Sequence, residues 1–323
     1  MSEAFRWAFI GAGTLGKEVA RDITASGRHR IASVYTRNAE RRQAFADAYG
    51  AFAAPSAAEA IARPDVDGVY IVTPHNSHYE YTLLALNLGK PVLCEKALTT
   101  DAGKAEEMIR LSREKGLYLA EAMWTWFSPI ARRVKAWLDA GEYGTIQKVH
   151  LDHRVYGIGY APRVSDPNTA GGALLDLGVY PLTYIYRLFG MPGQVECRGT
   201  VQGGIDTDEE IRLTCPGGRV CTVSTSILER PGRECLILEG DRARTCLPNF
   251  HYASSVTLER ADGTAETFEG FGGLLNEFDL VAGEIREGLT ESRYVPHQAT
   301  LDVMKIMDEC RRQLKLVYPF ESR

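Results

Sequence analysis

The chain has 323 residues, 45% apolar and 24% charged, enough to bury a full core and build two domains. A formal charge of −5 without any lysine- or arginine-rich run argues against a nucleic-acid or membrane-surface partner and leaves small molecules. The seven cysteines form an odd set with no C-x-x-C pair, so reduced thiols in a cytoplasmic chain are expected, with neither a disulfide framework nor a zinc site. No signal peptide is read at the start, and nothing approaches about eighteen consecutive apolar residues.

Up to about residue 122, short β-branched runs alternate with helical periodicity, the pattern of a parallel sheet wound on both faces. Strands are expected at 5–10, 30–35, 68–72, 91–94 and 117–122, and helices at 16–26, 39–49, 77–88 and 101–115, with Asn76-Ser77 and Thr100-Asp101 as caps. Residues 51–62, rich in alanine, read as one more short helix. The first strand feeds straight into Gly11-Ala12-Gly13-Thr14-Leu15-Gly16, a G-x-G-x-x-G turn between a strand and a helix. In that setting Gly11 permits the tight turn, Gly13 keeps side chains off a pyrophosphate, and Gly16 lets helix and strand approach, while the helix N-terminus offers N–H groups to the anion.

About twenty residues on, the second strand ends at Thr36-Arg37-Asn38, where an NAD-using fold places an acid on the ribose 2′-hydroxyl. A guanidinium there suits a 2′-phosphate, so NADP(H) is the expected cofactor and NAD(H) a possible one. The fourth strand ends at Cys94-Glu95-Lys96-Ala97, putting Lys96 at the carboxyl edge of the sheet, where ligands of such folds bind.

Beyond Trp124 the character changes. A helix over 129–140 leads into a strand over 146–156 and a Gly/Pro-rich loop to residue 172. A helix over 173–189 precedes strand-like runs at 195–201, 211–215, 220–227 and 235–238, an antiparallel pattern, and two helices near 274–286 and 298–314 close the chain. The stretch Gly171 to Tyr180 sets Asp176 and Tyr180 four residues apart, on one helix face. A tyrosine is a usable acid/base when a cation such as a lysine stabilises its phenolate. Trp124, Trp126 and Tyr156 are candidates for a substrate-pocket wall, with interdomain core as the alternative. His150 and His153 lie three apart in a strand and so point to opposite faces, and no metal is expected.

The set Gly11 to Gly16, Thr73-Pro74-His75-Asn76-Ser77-His78, Glu95-Lys96, Glu121-Ala122-Met123-Trp124 and Gly171 to Tyr180 resembles the Gfo/Idh/MocA oxidoreductases, and within them the dimeric dihydrodiol dehydrogenase and NADP-dependent D-xylose dehydrogenase branch. The resemblance implies an α/β fold: an N-terminal Rossmann domain with a doubly wound parallel sheet over 1–122, and a C-terminal α+β domain over 123–323. The second domain's open, mostly antiparallel sheet is expected to bind substrate and join a homodimer or homotetramer, with the last helix free to pack back on the first domain. The resemblance further makes Lys96 the catalytic lysine, Asp176 the active-site acid and Tyr180 the acid/base. Thr73, His75, His78 and Glu95, with Lys96, line the nicotinamide half of a cofactor site whose other half is Gly11, Gly13, Thr14, Leu15, Gly16, Thr36, Arg37 and Asn38. Two positions depart from the family pattern: Ala97 replaces a proline, and Trp126 an arginine.

The expected function is hydride transfer between NADP(H) and a sugar, polyol or vicinal diol, or the matching carbonyl. Tyr180 takes the hydroxyl proton and Lys96 steadies the alkoxide. The alternatives are an aldose oxidoreductase that recycles a tightly held cofactor and a non-catalytic NADP(H)-sensing protein.

Overall fold

A computed structural model describes residues 3–159, 161–270 and 273–321. The chain divides into two units, Met1–Phe127 with Gly273–His297, and Ser128–Gly272 with Gln298–Arg323. The first unit runs β1 (Phe5–Ile10), α1 (Thr14–Ala25), β2 (His29–Tyr35), α2 (Ala39–Tyr49), β3 (Phe52–Ala53), α3 (Ala57–Ile61), β4 (Gly68–Ile71), α4 (His78–Asn87), β5 (Val92–Glu95), α5 (Ala102–Lys115), β6 (Leu119–Ala122) and α6 (Trp124–Phe127). The second runs α7 (Pro129–Asp139), β7 (Ile146–Arg154), α8 (Val179–Phe189), β8 (Gln194–Gln202), β9 (Ile205–Cys215), β10 (Arg219–Ser226), β11 (Arg233–Gly240), β12 (Ala243–Pro248), β13 (Ser255–Arg260) and β14 (Ala265–Glu269). Helix α9 (Leu274–Arg286) then belongs to the first unit, and α10 (His297–Leu314) lies almost wholly in the second.

In the first unit six parallel strands lie in the order β3-β2-β1-β4-β5-β6, so the chain reverses direction across the sheet between β1 and β4. The strands are mostly apolar and mostly buried because both faces are covered, and Trp7, Ala8, Phe9 and Ile10 are all fully buried. Strand β3 was not expected, since two residues carry no periodicity and Phe52 is exposed. The helix expected over 51–62 shrinks to α3, started by Ser56, whose side chain accepts from the Glu59 N–H. Asp101 caps α5 as expected, accepting from the Lys104 N–H at 2.8 Å. Ser77 makes no cap bond and donates to Thr73 Oγ1 and the Pro74 carbonyl.

The helix that returns to the first unit is α9, where the sequence allowed the last one to do so. Phe278 on α9 packs edge-on against Trp7 and Tyr70 with ring centroids 5.0 and 4.9 Å apart, and burying a phenylalanine is worth about 1.5–3 kcal/mol. Asp279, next in sequence, takes both arms of the Arg28 guanidinium at 2.8 and 2.6 Å and faces His29 Nε2 at 3.0 Å.

The second unit holds an eight-stranded sheet in the order β14-β13-β12-β11-β7-β10-β9-β8, antiparallel except that β10 runs parallel to β7. The last three strands were missed, because they are short and one-sided. Along β12 buried Ala243, Thr245 and Leu247 alternate with exposed Arg244, Cys246 and Pro248, and β14 is largely polar. Helices α7 and α8 cover one face. Among the described residues no helix is long and apolar enough to cross a membrane.

The first unit also buries Glu277, which is 1% exposed and whose carboxyl oxygens have no hydrogen-bond partner among the described residues. Burial, then the charges of Glu95 and Glu121, push this carboxyl well above its usual range. The folded chain therefore holds a proton that the unfolded chain releases above about pH 4.3, so the group's effect on stability worsens as pH rises beyond that point, by up to about 1.4 kcal/mol per pH unit. Glu277→Gln should be more stable than the parent at pH 8, with the gap closing towards pH 4.5, as read by urea unfolding at both values. An unchanged gap would show that the carboxyl does not hold its proton.

Candidate active site

The turn after β1 uses its three glycines for three different reasons. A Cβ on Gly11 would stand 2.5 Å from the Val72 carbonyl oxygen, at a φ of +114° that side chains rarely adopt. On Gly16 it would meet Val72 Cγ1 at 3.3 Å, because helix and sheet touch there. At Gly13 nothing lies within 4 Å. The space is open at the N-cap of α1, whose first turn contains no acid and no side-chain cap. The amides that begin α1, at Thr14, Leu15 and Gly16, have no acceptor within the helix, so a phosphate-bearing ligand fits this cradle.

At the end of β2, Asn38 Oδ1 accepts the Arg41 N–H at 2.8 Å to cap α2, and the Thr36 carbonyl accepts from Arg42 Nη1 at 3.0 Å. Arg37 is exposed beside them. The Arg42 guanidinium lies 6.0 Å from the centre of the Tyr35 ring. Arg41 and Arg42 were not singled out, although the Arg-Arg pair one turn past a strand was there to be read.

The turns after β4 and β5 are sewn together by histidines. His78 is fully buried and reaches the Thr73 carbonyl through Nε2 at 2.7 Å and the Ala97 carbonyl through Nδ1 at 3.0 Å. His75 Nε2 lies 3.2 Å from the Lys96 carbonyl, and the Leu98 N–H donates to Glu121 Oε1 at 3.0 Å. The Lys96–Ala97 peptide is cis. The proline missing at Ala97 therefore leaves a turn fixed by side chains on three other elements. Glu95 faces inward, 6% exposed, and accepts from the Tyr70 hydroxyl at 2.6 Å. Thr73, His75, His78 and the Glu95–Lys96 turn thus come together at the carboxyl edge of β4 and β5, while Arg37 stands apart at the end of β2. Trp124 and Trp126 share the short buried helix α6, whose last carbonyl, on Phe127, accepts from Asn276 Nδ2 at 2.7 Å.

In the second unit the expected helix over 173–189 starts with a turn of π-helix, Leu174–Gly178, in which the Val179 N–H bonds to the Leu174 carbonyl. Asp206 Oδ2 accepts the Leu174 N–H at 2.5 Å, and a Cβ on Gly172 would collide with that carboxylate. Asp176, 5% exposed, accepts from Arg163 Nη2 at 2.9 Å. Tyr180, 6% exposed, sits with its ring centre 5.5 Å from His153 and 5.4 Å from His251. Glu234 Oε1 lies 2.5 Å from His251 Nδ1 and accepts the His251 N–H at 2.7 Å. Burial lifts the Glu234 carboxyl, but the His251 and His153 imidazoles outweigh it and hold the group below its usual range. His150 and Asp152 share the other strand face, as the spacing requires, with His150 Nδ1 2.8 Å from Thr222 Oγ1. The Arg230 guanidinium lies 3.4 Å from the ring centre of Tyr156. Asp206, Arg163, Glu234 and His251 gave no local signal, since each lies far along the chain from the residue it meets.

Two family models match: "Oxidoreductase family, NAD-binding Rossmann fold" over residues 5–123 and "GFO/IDH/MocA C-terminal domain" over residues 131–245. Among curated proteins, D-xylose 1-dehydrogenase (NADP(+)) of Hypocrea jecorina is 27% identical, covering 97% of this chain and 93% of the relative. Mouse trans-1,2-dihydrobenzene-1,2-diol dehydrogenase is 27% identical over 99% and 100%, and scyllo-inositol 2-dehydrogenase (NADP(+)) of Bacillus subtilis 28% identical over 98% and 99%. Among solved structures, a 3-ketoreductase of Actinomadura kijaniata in complex with NADP and TDP-benzene superposes with a TM-score of 0.85 at 24% identity, covering 96% of this chain and 98% of that one. An aldose-aldose oxidoreductase of Caulobacter crescentus gives 0.86 at 20% identity, over 97% and 98%.

The glycine geometry separates folding from binding. Gly11→Ala should lower unfolding stability by about 2–4 kcal/mol through the clash and the adverse φ. Gly13→Ala should unfold like the parent yet bind a dinucleotide about tenfold or more weakly, as measured by fluorescence titration. Equal binding would remove the pyrophosphate from that spot.

Proposed function

From the chain's membership of the Gfo/Idh/MocA oxidoreductases, carried by both matched domains, we propose an enzyme that transfers hydride between NADP(H) and a sugar, polyol or vicinal diol, or the matching carbonyl. The observation that carries this reading is the turn Glu95-Lys96-Ala97, fixed by His75, His78 and Glu121 at the carboxyl edge of a parallel sheet that also holds an open, acid-free glycine cradle. The relatives named for NADP(+) and for diol, inositol and xylose chemistry support the cofactor and the substrate class.

Gly11 to Gly16 hold the pyrophosphate, and Arg37, with Thr36 and Asn38, receives the 2′-phosphate. Thr73, His75 and Lys96 border the nicotinamide, which when bound gives or accepts the hydride, and buried His78 joins the two turns that carry them. Tyr180 takes the proton from the substrate hydroxyl in oxidation and returns it in reduction. Lys96 supplies positive charge to the oxygen as it becomes an alkoxide. Asp176, buried and held by Arg163, orients a substrate hydroxyl. Trp124, Trp126 and Tyr156 shape the pocket. The exposed face of the eight-stranded sheet is the surface we assign to assembly as a homodimer or homotetramer, a state that light scattering after gel filtration reads directly.

NADP⁺ reduction at 340 nm against aldoses, polyols and cyclic diols tests the reading. Turnover on one class should fall about 10²-fold or more in Tyr180→Phe and in Lys96→Met. Near-parental turnover in either variant would remove that residue from its role. Arg37→Glu should shift the NADP⁺ over NAD⁺ preference by about 10–100-fold in kcat/KM, the worth of one charge-assisted contact. An unmoved ratio would assign the 2′-phosphate to Arg41 or Arg42 instead.

A further inference from the structure

We propose that His153, Glu234 and His251 form a binding site for a divalent transition-metal ion, zinc being the best fit to the donor set. One atom from each lies within 4.8 Å of the others, the only such His/Cys/Asp/Glu group among the described residues. His150 and His153 share no strand face, so one ion cannot take both; the second imidazole comes from His251, about a hundred residues further on.

The site is built from three segments of one unit. His153 on β7 and Glu234 on β11 are directly paired across the sheet, so their side chains emerge side by side on the face that carries α8. His251 follows β12, and the backbone is fixed there by its own N–H bonded to Glu234 Oε1 and by the Asn249 N–H bonded to the Glu234 carbonyl. Two imidazoles and one carboxylate are the ligand set of open zinc sites, and a borderline-soft ion prefers them to magnesium or calcium, which want oxygen. His153 Nδ1 lies 3.2 Å from the Leu177 carbonyl, the outer contact that fixes a ligating imidazole's tautomer and places its lone pair on Nε2. His153 is 2% exposed, and the Glu234 and His251 side chains are 9% and 14% exposed, so the ligands are sheltered from water. A tetrahedral ion with bonds of about 2.0–2.1 Å wants its ligands about 3.3 Å apart, so the cluster has to contract by roughly 1.5 Å at its widest. The side chain of His251, on a loop, can supply that movement. Without metal, the His251–Glu234 contact occupies the same space, and a bound dication takes its place.

The site goes beyond the hydride-transfer reading and is read without turnover, so the two stand or fall separately. The test is calorimetric titration of zinc chloride into the chelator-treated full chain and into Glu234→Gln, His251→Gln and, as a control on the other strand face, His150→Gln. One zinc per chain is expected, with a Kd of about 1 µM or tighter. Affinity should drop about tenfold or more in Glu234→Gln and His251→Gln and stay unchanged in His150→Gln. Absence of saturable binding at about 100 µM zinc, or equal binding in all four proteins, overturns the proposal. Should a variant fail to melt cooperatively, X-ray absorption on the zinc-loaded parent decides: a shell with two imidazoles supports the site, and a sulfur shell from the thiols overturns it.

Discussion

Parallel strands can be joined only by long crossovers, and that constraint organises the whole first unit. Each crossover returns the chain to the same end of the sheet, so all six strands finish along one edge and the turns that follow them sit side by side. Residues 11–16, 73–78 and 95–97 are far apart in sequence and adjacent in space for this reason alone. The reversal of strand order between β1 and β4 opens the crevice into which those turns project. His78 then converts adjacency into a fixed geometry. Its buried ring lies between carbonyls of two different turns, 3.0 and 2.7 Å away, so the backbone that carries Lys96 is referred directly to the backbone that follows β4.

How much of this was legible depends on whether the signal is local. The first five long strands, α1, α2 and α5 are written in periodicity, and Asp101 does at α5 what capping chemistry requires. The glycine turn was legible because sterics make each glycine's role a property of a few neighbouring atoms. Strand β3 and strands β12 to β14 were not, since short half-exposed strands take their identity from the partner they pair with. The π-turn at Leu174–Gly178 was equally hidden. At its start Asp206, across the unit on β9, accepts the Leu174 N–H, and nothing in residues 171–180 announces that partner. The surroundings of Tyr180 follow the same rule: His153, Glu234 and His251 meet through strand register and a loop.

The two units treat buried charge alike, and this links stability to function. Irregular backbone near a ligand leaves N–H groups that no helix or strand can satisfy. In the first unit Glu121 accepts the Leu98 N–H just past the lysine turn, and in the second Asp206 accepts the Leu174 N–H at the start of the π-turn. Both carboxylates are buried, which is costly, and each crowds another acid. Glu277 is pushed up by burial and by Glu95 and Glu121, and Glu209 by burial and by Asp206. A core built for stability alone would replace these acids with apolar side chains of similar volume and gain by it. Their presence directly behind the two stretches that carry Lys96 and Asp176 with Tyr180 is what a chain shows when the position of a few backbone atoms matters more than the last few kcal/mol of folding free energy.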